Sequence, residues 1–312
     1  MRSSSTRSEV AARSTSARST PASTSASVAT TGGGGLVRAL LHDPLPIGLV
    51  AAGLLLGTYA VVGLTVSPFL ITAGICGAAL VYWADRVLGF SPEDRYAHPD
   101  RVAWVDAHRT WLWIEAVGLV VIGGVSLAWL RPETVFGAII CGCIALVHVV
   151  PILPGKRRIK ALAWGKRSSI AAAWALGAVL LPWVEAGRLD ASAGLLTGLV
   201  ACRFAAVWAN LMMADWADRP GDESAGLPTY SAPSGRMVRL RATVASVVSG
   251  MLIVVLGGAG LIPPALAAVE AVGAVALAVA VWTVEPSRDR HHLLLLDALI
   301  GWPVLTYAVT MV

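Results

Sequence analysis

Charge is what this chain has least of. Only 14% of its 312 residues are Asp, Glu, Lys or Arg, against roughly 25% in an ordinary soluble domain. Apolar residues make up 56% and the mean hydropathy is +0.70. The charges fall in blocks, separated by stretches of about twenty residues with at most one charge, the length that crosses the hydrocarbon core of a bilayer. This excludes a secreted enzyme, a DNA-binding domain and a disordered regulator, and predicts a polytopic all-α membrane protein. Cysteine is scarce too: Cys76, Cys141, Cys143 and Cys202 all lie in apolar stretches. Cys141 and Cys143 are two apart and point to different helix faces, so the four read as small apolar filler rather than a disulfide or metal set. Basic residues interleaved with aromatics on one soluble face are also missing, so no nucleic-acid partner is expected.

Residues 1–35 are a different material, with ten Ser, six Thr, four Arg and one acid, Glu9, ending in Gly32-Gly33-Gly34-Gly35. Such a segment buries too little apolar surface to offset its ordering entropy, so it reads as a disordered tail with a flexible joint ahead of one domain, 36–312. Its composition also suits an organelle transit peptide, while the lack of a following h-region argues against a cleaved secretory signal.

Nine spans are predicted, near 45–66, 67–84, 110–130, 133–153, 168–186, 191–214, 241–259, 261–284 and 293–312. Ser67-Pro68 divides the first two, and Gly257-Gly258 to Pro263-Pro264 divides the seventh from the eighth, because proline removes a helix donor and marks a turn. Several of the twelve Trp (Trp83, Trp111, Trp113, Trp129, Trp183, Trp216, Trp282) lie near span ends, where an amphipathic ring suits the headgroup layer. With the tail placed in the cytoplasm, 21 of the 24 basic residues fall in inside segments; only Arg131 and Arg188 lie outside, and Arg203 lies within a span. Lys and Arg accumulate in cytoplasmic loops, so the amino terminus is expected inside and the carboxyl terminus outside. The natural setting is a cytoplasmic membrane, most simply a bacterial one.

Acids near a membrane are expensive and mark function. The densest group closes the sixth span: Asn210, Asp215, Asp218 and, beyond Pro220-Gly221, Asp222. Asp215 and Asp218 share a helix face; Pro220-Gly221 is expected to end the helix and bring Asp222 back from a turn. Converging carboxylates repel unless a hard cation such as Mg²⁺ sits among them. The alternative is a solvated helix end. Arg203 lies two turns before Asn210 on the same face, about 10 Å deeper, so it needs an anion or a structural partner such as Glu270 or Glu115. Tyr82 and Asp85-Arg86, followed by Glu93-Asp94, make a second polar site after span two. The loop before span five carries Lys156, Arg157, Arg158, Lys160, Lys166 and Arg167. Positive-inside topology accounts for most of these cations, yet acids to hold metal and cations to face phosphate oxygens are also what a diphosphate–Mg²⁺ complex needs.

With these motifs the chain, over about residues 36–312, resembles the UbiA-type intramembrane prenyltransferases. The most specific part is Asn210…Asp215-x-x-Asp218-x-x-x-Asp222-x-x-x-Gly226-x-x-Thr229; Pro151-Ile-Leu-Pro-Gly-Lys156-Arg-Arg-Ile-Lys160, with Lys166, Trp174 and Pro182, is similar to the family's segment around span five. The first motif departs: of Asn-Asp-x-x-Asp-x-x-x-Asp only Asp85 remains, with Val81, Tyr82 and Gly89 at the other positions, and Glu93 or Asp94 as replacement ligands. The resemblance implies a nine-helix bundle and Mg²⁺ bridging Asp85, Asp215, Asp218 and Asp222 to a prenyl diphosphate. Asp85, Asp218 and Asp222 would be the catalytic acids, with Tyr82, Lys156, Arg158, Lys166, Arg203 and Asn210 at the diphosphate or a lipophilic acceptor. The activity implied is transfer of an isoprenyl group. An intramembrane terpene cyclase is the alternative suited to a changed first motif, and a non-catalytic isoprenoid-binding protein is the reading from another class. Acceptor, chain length and oligomeric state are open at this stage.

Overall fold

The structure, a computed structural model, describes residues 33–88, 99–146, 165–188, 192–224, 234–284 and 291–312. These fold as helices with no strand among the described residues: α1 (Gly33–His42), α2 (Leu45–Val62), α3 (Pro68–Trp83), a π-helical turn (Ala84–Leu88), α4 (Pro99–Ala107), α5 (Arg109–Ala128), α6 (Pro132–Leu146), α7 (Gly165–Glu185), α8 (Ala193–Ser224), α9 (Gly235–Gly258), α10 (Pro264–Thr283), α11 (His291–Ile300) and α12 (Pro303–Val309). Seven are long and apolar enough to cross a membrane: α2, α3 with its π turn, α5, α7, α8, α9 and α10. The fourth expected span is described over the 15 residues of α6, and the ninth as the pair α11 and α12.

Prolines place five of the twelve α-helix starts described. Pro68, Pro99, Pro132, Pro264 and Pro303 each open a helix, where the missing N–H would have had no partner. Ser67 caps α3, its hydroxyl accepting from the Leu70 amide at 3.3 Å, and Ser234 caps α9 in the same way through Met237. Two prolines behave otherwise. Pro182 lies inside α7 and Pro220 inside α8. The expected break at Pro220-Gly221 therefore does not occur: α8 continues to Ser224, because a proline within one turn of a helix end removes only one bond from a ladder that is about to stop. Conversely, the last span is not one helix, since Pro303 starts a new one after Gly301-Trp302.

Neighbours in sequence pack as neighbours in space. α2 lies against α3, α3 against α5, α6 against α7, α7 against α8, α8 against α9 and α9 against α10, and α12 returns to α2 to close the bundle. One large cluster joins Ile47, Val50 and Leu54 of α2 to Ala171 and Ala178 of α7, Val207 and Met213 of α8, Leu277 and Val281 of α10 and Leu296 of α11. Closure depends on glycine: a Cβ on Gly53 would lie 2.5 Å from the Gly301 carbonyl oxygen, and one on Gly57 would lie 2.2 Å from Pro303 Cβ. The outer face stays apolar. Ile114, Val117, Val121 and Val125 of α5 and Phe136 and Ile139 of α6 are all exposed, which suits hydrocarbon as the surrounding medium. The chain is an integral, multi-pass membrane protein. Residues 1–32 lie outside the described residues, and α1 begins at Gly33, inside the segment read as a joint.

Candidate functional site

The ends of α3 and α8 carry the two polar motifs. The π turn that finishes α3 carries Asp85 and Arg86; such turns interrupt helices mostly where function needs a shifted side chain. Asp85 is exposed and Tyr82 partly buried. The Arg86 guanidinium lies over the Tyr82 ring, 5.5 Å from its centroid. Its Nη1 donates to the His42 and Asp43 carbonyls, which lie at and just beyond the end of α1. α1 is thereby held against the first polar motif. His42 packs on Trp104 of α4, and Trp104 stacks on His108.

From α8 comes the second motif. Because the helix runs unbroken to Ser224, Asp215, Asp218 and Asp222 stand at i, i+3 and i+7, within about 60° of one another around the axis. Helical register, rather than a turn, keeps them on one face. Asp215 Oδ2 makes a 2.9 Å ion pair with Nε of Arg167, whose side chain is 4% exposed. Arg167 also sits over the Trp208 ring, 5.7 Å from its centroid. Asp218 is partly buried. The Asp222 and Lys166 side chains, and Lys156, Arg158, Glu93 and Asp94 entirely, lie outside the described residues.

Asn210, one turn deeper, donates from Nδ2 to Asp297 Oδ1 of α11 at 2.7 Å. Deeper again, both terminal nitrogens of Arg203 donate to Glu270 of α10, at 2.6 and 2.9 Å, and the Thr306 hydroxyl of α12 donates to Glu270 at 3.1 Å. Arg203 therefore has the structural partner that the sequence left open, and that partner is Glu270. Glu115, the other acid considered, stands on α5 near Asp43 and Arg86, with both carboxylate oxygens buried. Beneath the polar end, Tyr82, Trp174, Phe204, Trp208 and Trp216 are half-buried against the main core cluster, with Phe204 stacked on Trp208.

Two participants, Asp297 and Arg167, and one repeat escaped the sequence reading. Asp297 is the single acid among residues 291–312, and the expense of an intramembrane carboxylate was the signal for it. Arg167 was lost within its basic run. The third signal is a repeat: Trp83-Ala84-Asp85-Arg86 and Trp216-Ala217-Asp218-Arg219 are the same four residues, which makes Tyr82 and Gly89 the counterparts of Asp215 and Asp222.

The donor set suits a hard cation: carboxylates from two helix ends, with oxygen as the sole ligating atom. Among the described residues no three His, Cys, Asp or Glu side chains gather into a metal cage.

No family model matches the chain, and no curated protein matches it in sequence. Solved structures do. The apo structure of a UbiA homolog from Aeropyrum pernix K1 superposes with a TM-score of 0.59 at 16% identity, over 87% of this chain and 98% of that one. A UbiA homolog from Archaeoglobus fulgidus, bound to GPP and Mg²⁺, gives 0.55 at 12% identity, over 87% and 99%. A structure of digeranylgeranylglyceryl phosphate synthase gives 0.53 at 14% identity, over 88% and 97%. Close to the full length of each relative is covered at an identity that speaks for architecture alone, and the chain has the fold of the UbiA homologues.

Proposed function

We propose that the protein is a Mg²⁺-dependent intramembrane prenyltransferase, moving an isoprenyl group from a prenyl diphosphate to an aromatic or other lipophilic acceptor. One juxtaposition carries the reading: Asp297 of α11 bonds Asn210 of α8 and lies within electrostatic reach of Arg86 after α3, while Tyr82, Trp174, Phe204, Trp208 and Trp216 pack half-buried on one core cluster. The resemblance to a UbiA homolog that binds GPP and Mg²⁺ supports the substrate class.

Asp218, Asp222, Asp85 and Asp215 would hold the metal, which supplies charge neutralisation for the leaving pyrophosphate. Arg167 offsets the charge of Asp215. Lys166, Lys156 and Arg158 of the basic segment would supply the cations for the phosphate oxygens, with Asn210 as a further polar contact. Arg203, whose two terminal nitrogens both bond Glu270, ties α8 to α10 and would leave the diphosphate to the other cations. Chemically, the allylic C–O bond breaks with its electron pair leaving on pyrophosphate. The acceptor's electron pair forms the new bond to carbon, and the acceptor then loses a proton. The dry aromatic wall keeps water from the allylic cation and stabilises it through ring faces.

The same reading covers topology: nine spans, an amino terminus in the cytoplasm, a carboxyl terminus outside, and a site open to the cytoplasm of what is most simply a bacterial membrane. Tyr82 favours a second reading. An aromatic ring packed on the core where the second motif has a carboxylate suits a cation that persists, as in a terpene cyclase.

The test is pyrophosphate release in detergent from prenyl diphosphates of several lengths with Mg²⁺, with and without a pool of aromatic acceptors. Asp218→Asn and Asp222→Asn run alongside. Release that needs the pool and is lost in either variant establishes transfer. Release without the pool, with a cyclic hydrocarbon or alcohol in the extract, establishes cyclisation. Mg²⁺-indifferent binding with no turnover, and variants equal to wild type, leaves only an isoprenoid-binding protein.

A further inference from the structure

Asn210 has an ambiguity that its own helix does not resolve. A carboxamide offers a donor at one end and an acceptor at the other, and a polar site needs one of them in particular. A carboxylate resolves it. Asp297 accepts from Asn210 Nδ2 at 2.7 Å, short for an N–H···O bond and in the range where one partner is charged. One of its two N–H groups is thereby committed to α11, which fixes the plane of the carboxamide and leaves the amide oxygen as its acceptor for the site. Asp297 also lies within electrostatic reach of Arg86, whose Nη1 is tied to the His42 and Asp43 carbonyls. The side chain thus meets the motif on α8 and the motif after α3, from a helix that belongs to neither.

That position matters because the first motif has Tyr82 and Gly89 where its repeat has carboxylates. Arg86 retains a guanidinium there, with Arg101 of α4 close enough to repel it. The last span returns a negative charge to that neighbourhood. Its own placement is firm: α11 packs against α2, α8 and α10. At the break that follows, Trp302 Nε1 donates to the Val269 carbonyl at 2.8 Å, and Gly301 lies against Gly53.

We infer that Asp297 is a positioning residue, which holds Asn210 so that its amide oxygen faces the Mg²⁺–diphosphate ligand and which couples the last span to both polar motifs. The inference rests on the reading given under Proposed function. It differs from a plain helix-to-helix tie in one respect. A tie would affect folding alone, whereas an orienting contact changes how a bound cation and its phosphate are met, with an expected loss of about 10- to 100-fold, as for outer partners of metal ligands.

The experiment uses the full chain in detergent, with inorganic pyrophosphate and Mg²⁺ as probe, and reads binding together with ligand-free thermal unfolding. The variants are Asp297→Leu, Asn210→Asp and the exchanged pair Asn210→Asp/Asp297→Asn. In the exchanged pair an amide on α11 donates to a carboxylate on α8, which again leaves an oxygen for the site. Each single variant is expected to weaken Mg²⁺-pyrophosphate binding by about tenfold or more. The exchanged pair is expected to regain most of that loss, with the losses out of step with the unfolding temperatures. Asp297→Leu binding as wild type overturns the inference. So does an exchanged pair that folds but binds no better than Asn210→Asp, or binding that follows unfolding temperature across the set. A wild-type protein that binds no Mg²⁺-pyrophosphate overturns the functional reading and this inference with it. Wild-type binding with indifferent variants overturns this one alone.

Discussion

The Arg203–Glu270 pair shows what a single buried charge demands of its surroundings. Both side chains are 4% exposed, so each lost its water and recovers that cost only through the other and through the Thr306 hydroxyl. Removing one member strands the other, which costs about 3–5 kcal/mol, whereas replacing both with apolar residues of similar size is often neutral or better. Glu270→Leu is therefore expected to lower the unfolding temperature in detergent sharply, and Arg203→Leu/Glu270→Leu to recover most of the loss. Fluorescence-monitored melting of the three proteins checks this; a double variant as unstable as the single one contradicts it. Tyr82 poses the complementary question, since it occupies a carboxylate position of the Trp-Ala-Asp-Arg repeat. Tyr82→Asp adds a hard oxygen ligand beside Asp85 and is expected to lower the Mg²⁺ concentration for half-maximal pyrophosphate release by about tenfold, on the scale of a metal-affinity change. A metal titration of the variant reads it directly. At this scale the sequence was legible for acids and cations that carry their own expense, such as Asp218 and Arg203. Which acid meets Arg203, and that Arg167 meets Asp215, depends on helices far apart in the chain, so spacing along one helix did not contain it.

Prolines show how the same residue type is read differently by each element. Pro68 and Pro264 mark boundaries in the sequence because each follows a polar or glycine-rich turn, and the helices begin there. Pro220 looked like a stop and is not one, since α8 has only four residues left to run. Pro303 lies in an apolar stretch and looked continuous, yet it divides the last span. What decides is whether the neighbouring helices need the break, and here α2 does. Gly57 admits Pro303 and Gly53 admits the Gly301 carbonyl, at distances no side chain would allow. A larger residue must push α12 off α2, and overpacking of this kind costs about 1–3 kcal/mol, occasionally more. Gly57→Leu is expected to reduce the yield of monodisperse protein and to lower its unfolding temperature. Gly63→Asn, in a left-handed turn with open space around it, is expected to be nearly silent. Size-exclusion profiles and melting curves of the pair separate a packing demand from a general intolerance of glycine replacement.

On the scale of the whole molecule, hydropathy settled the architecture because a bilayer leaves few options: backbone polar groups must be satisfied within each span, and helices do this. Successive helices pack on one another, α12 closes onto α2, and α11 brings Asp297 to Asn210 of α8 within electrostatic reach of Arg86. The sign of the charge along the chain bears on the orientation. The segments joined to the Asp85 and Asp218 end carry nearly all of the Lys and Arg, while Arg131 and Arg188 stand alone at the other. Basic residues resist translocation, so the carboxylate end should lie in the cytoplasm, where a water-soluble diphosphate headgroup and Mg²⁺ are both available. Reporter fusions make this testable in a bacterial host. A fluorescent protein joined before Gly33 is expected to fluoresce, and alkaline phosphatase joined after Val312 to be active, if the nine crossings proposed above separate them. Arg131→Ala/Arg188→Ala should leave both signals unchanged. Adding four Lys beside Arg188 should depress the phosphatase signal, because it sets a cationic cluster against translocation. Phosphatase activity at the amino-terminal fusion, or fluorescence at both ends, would reverse the orientation or remove one crossing, and the cytoplasmic placement of the site would go with it.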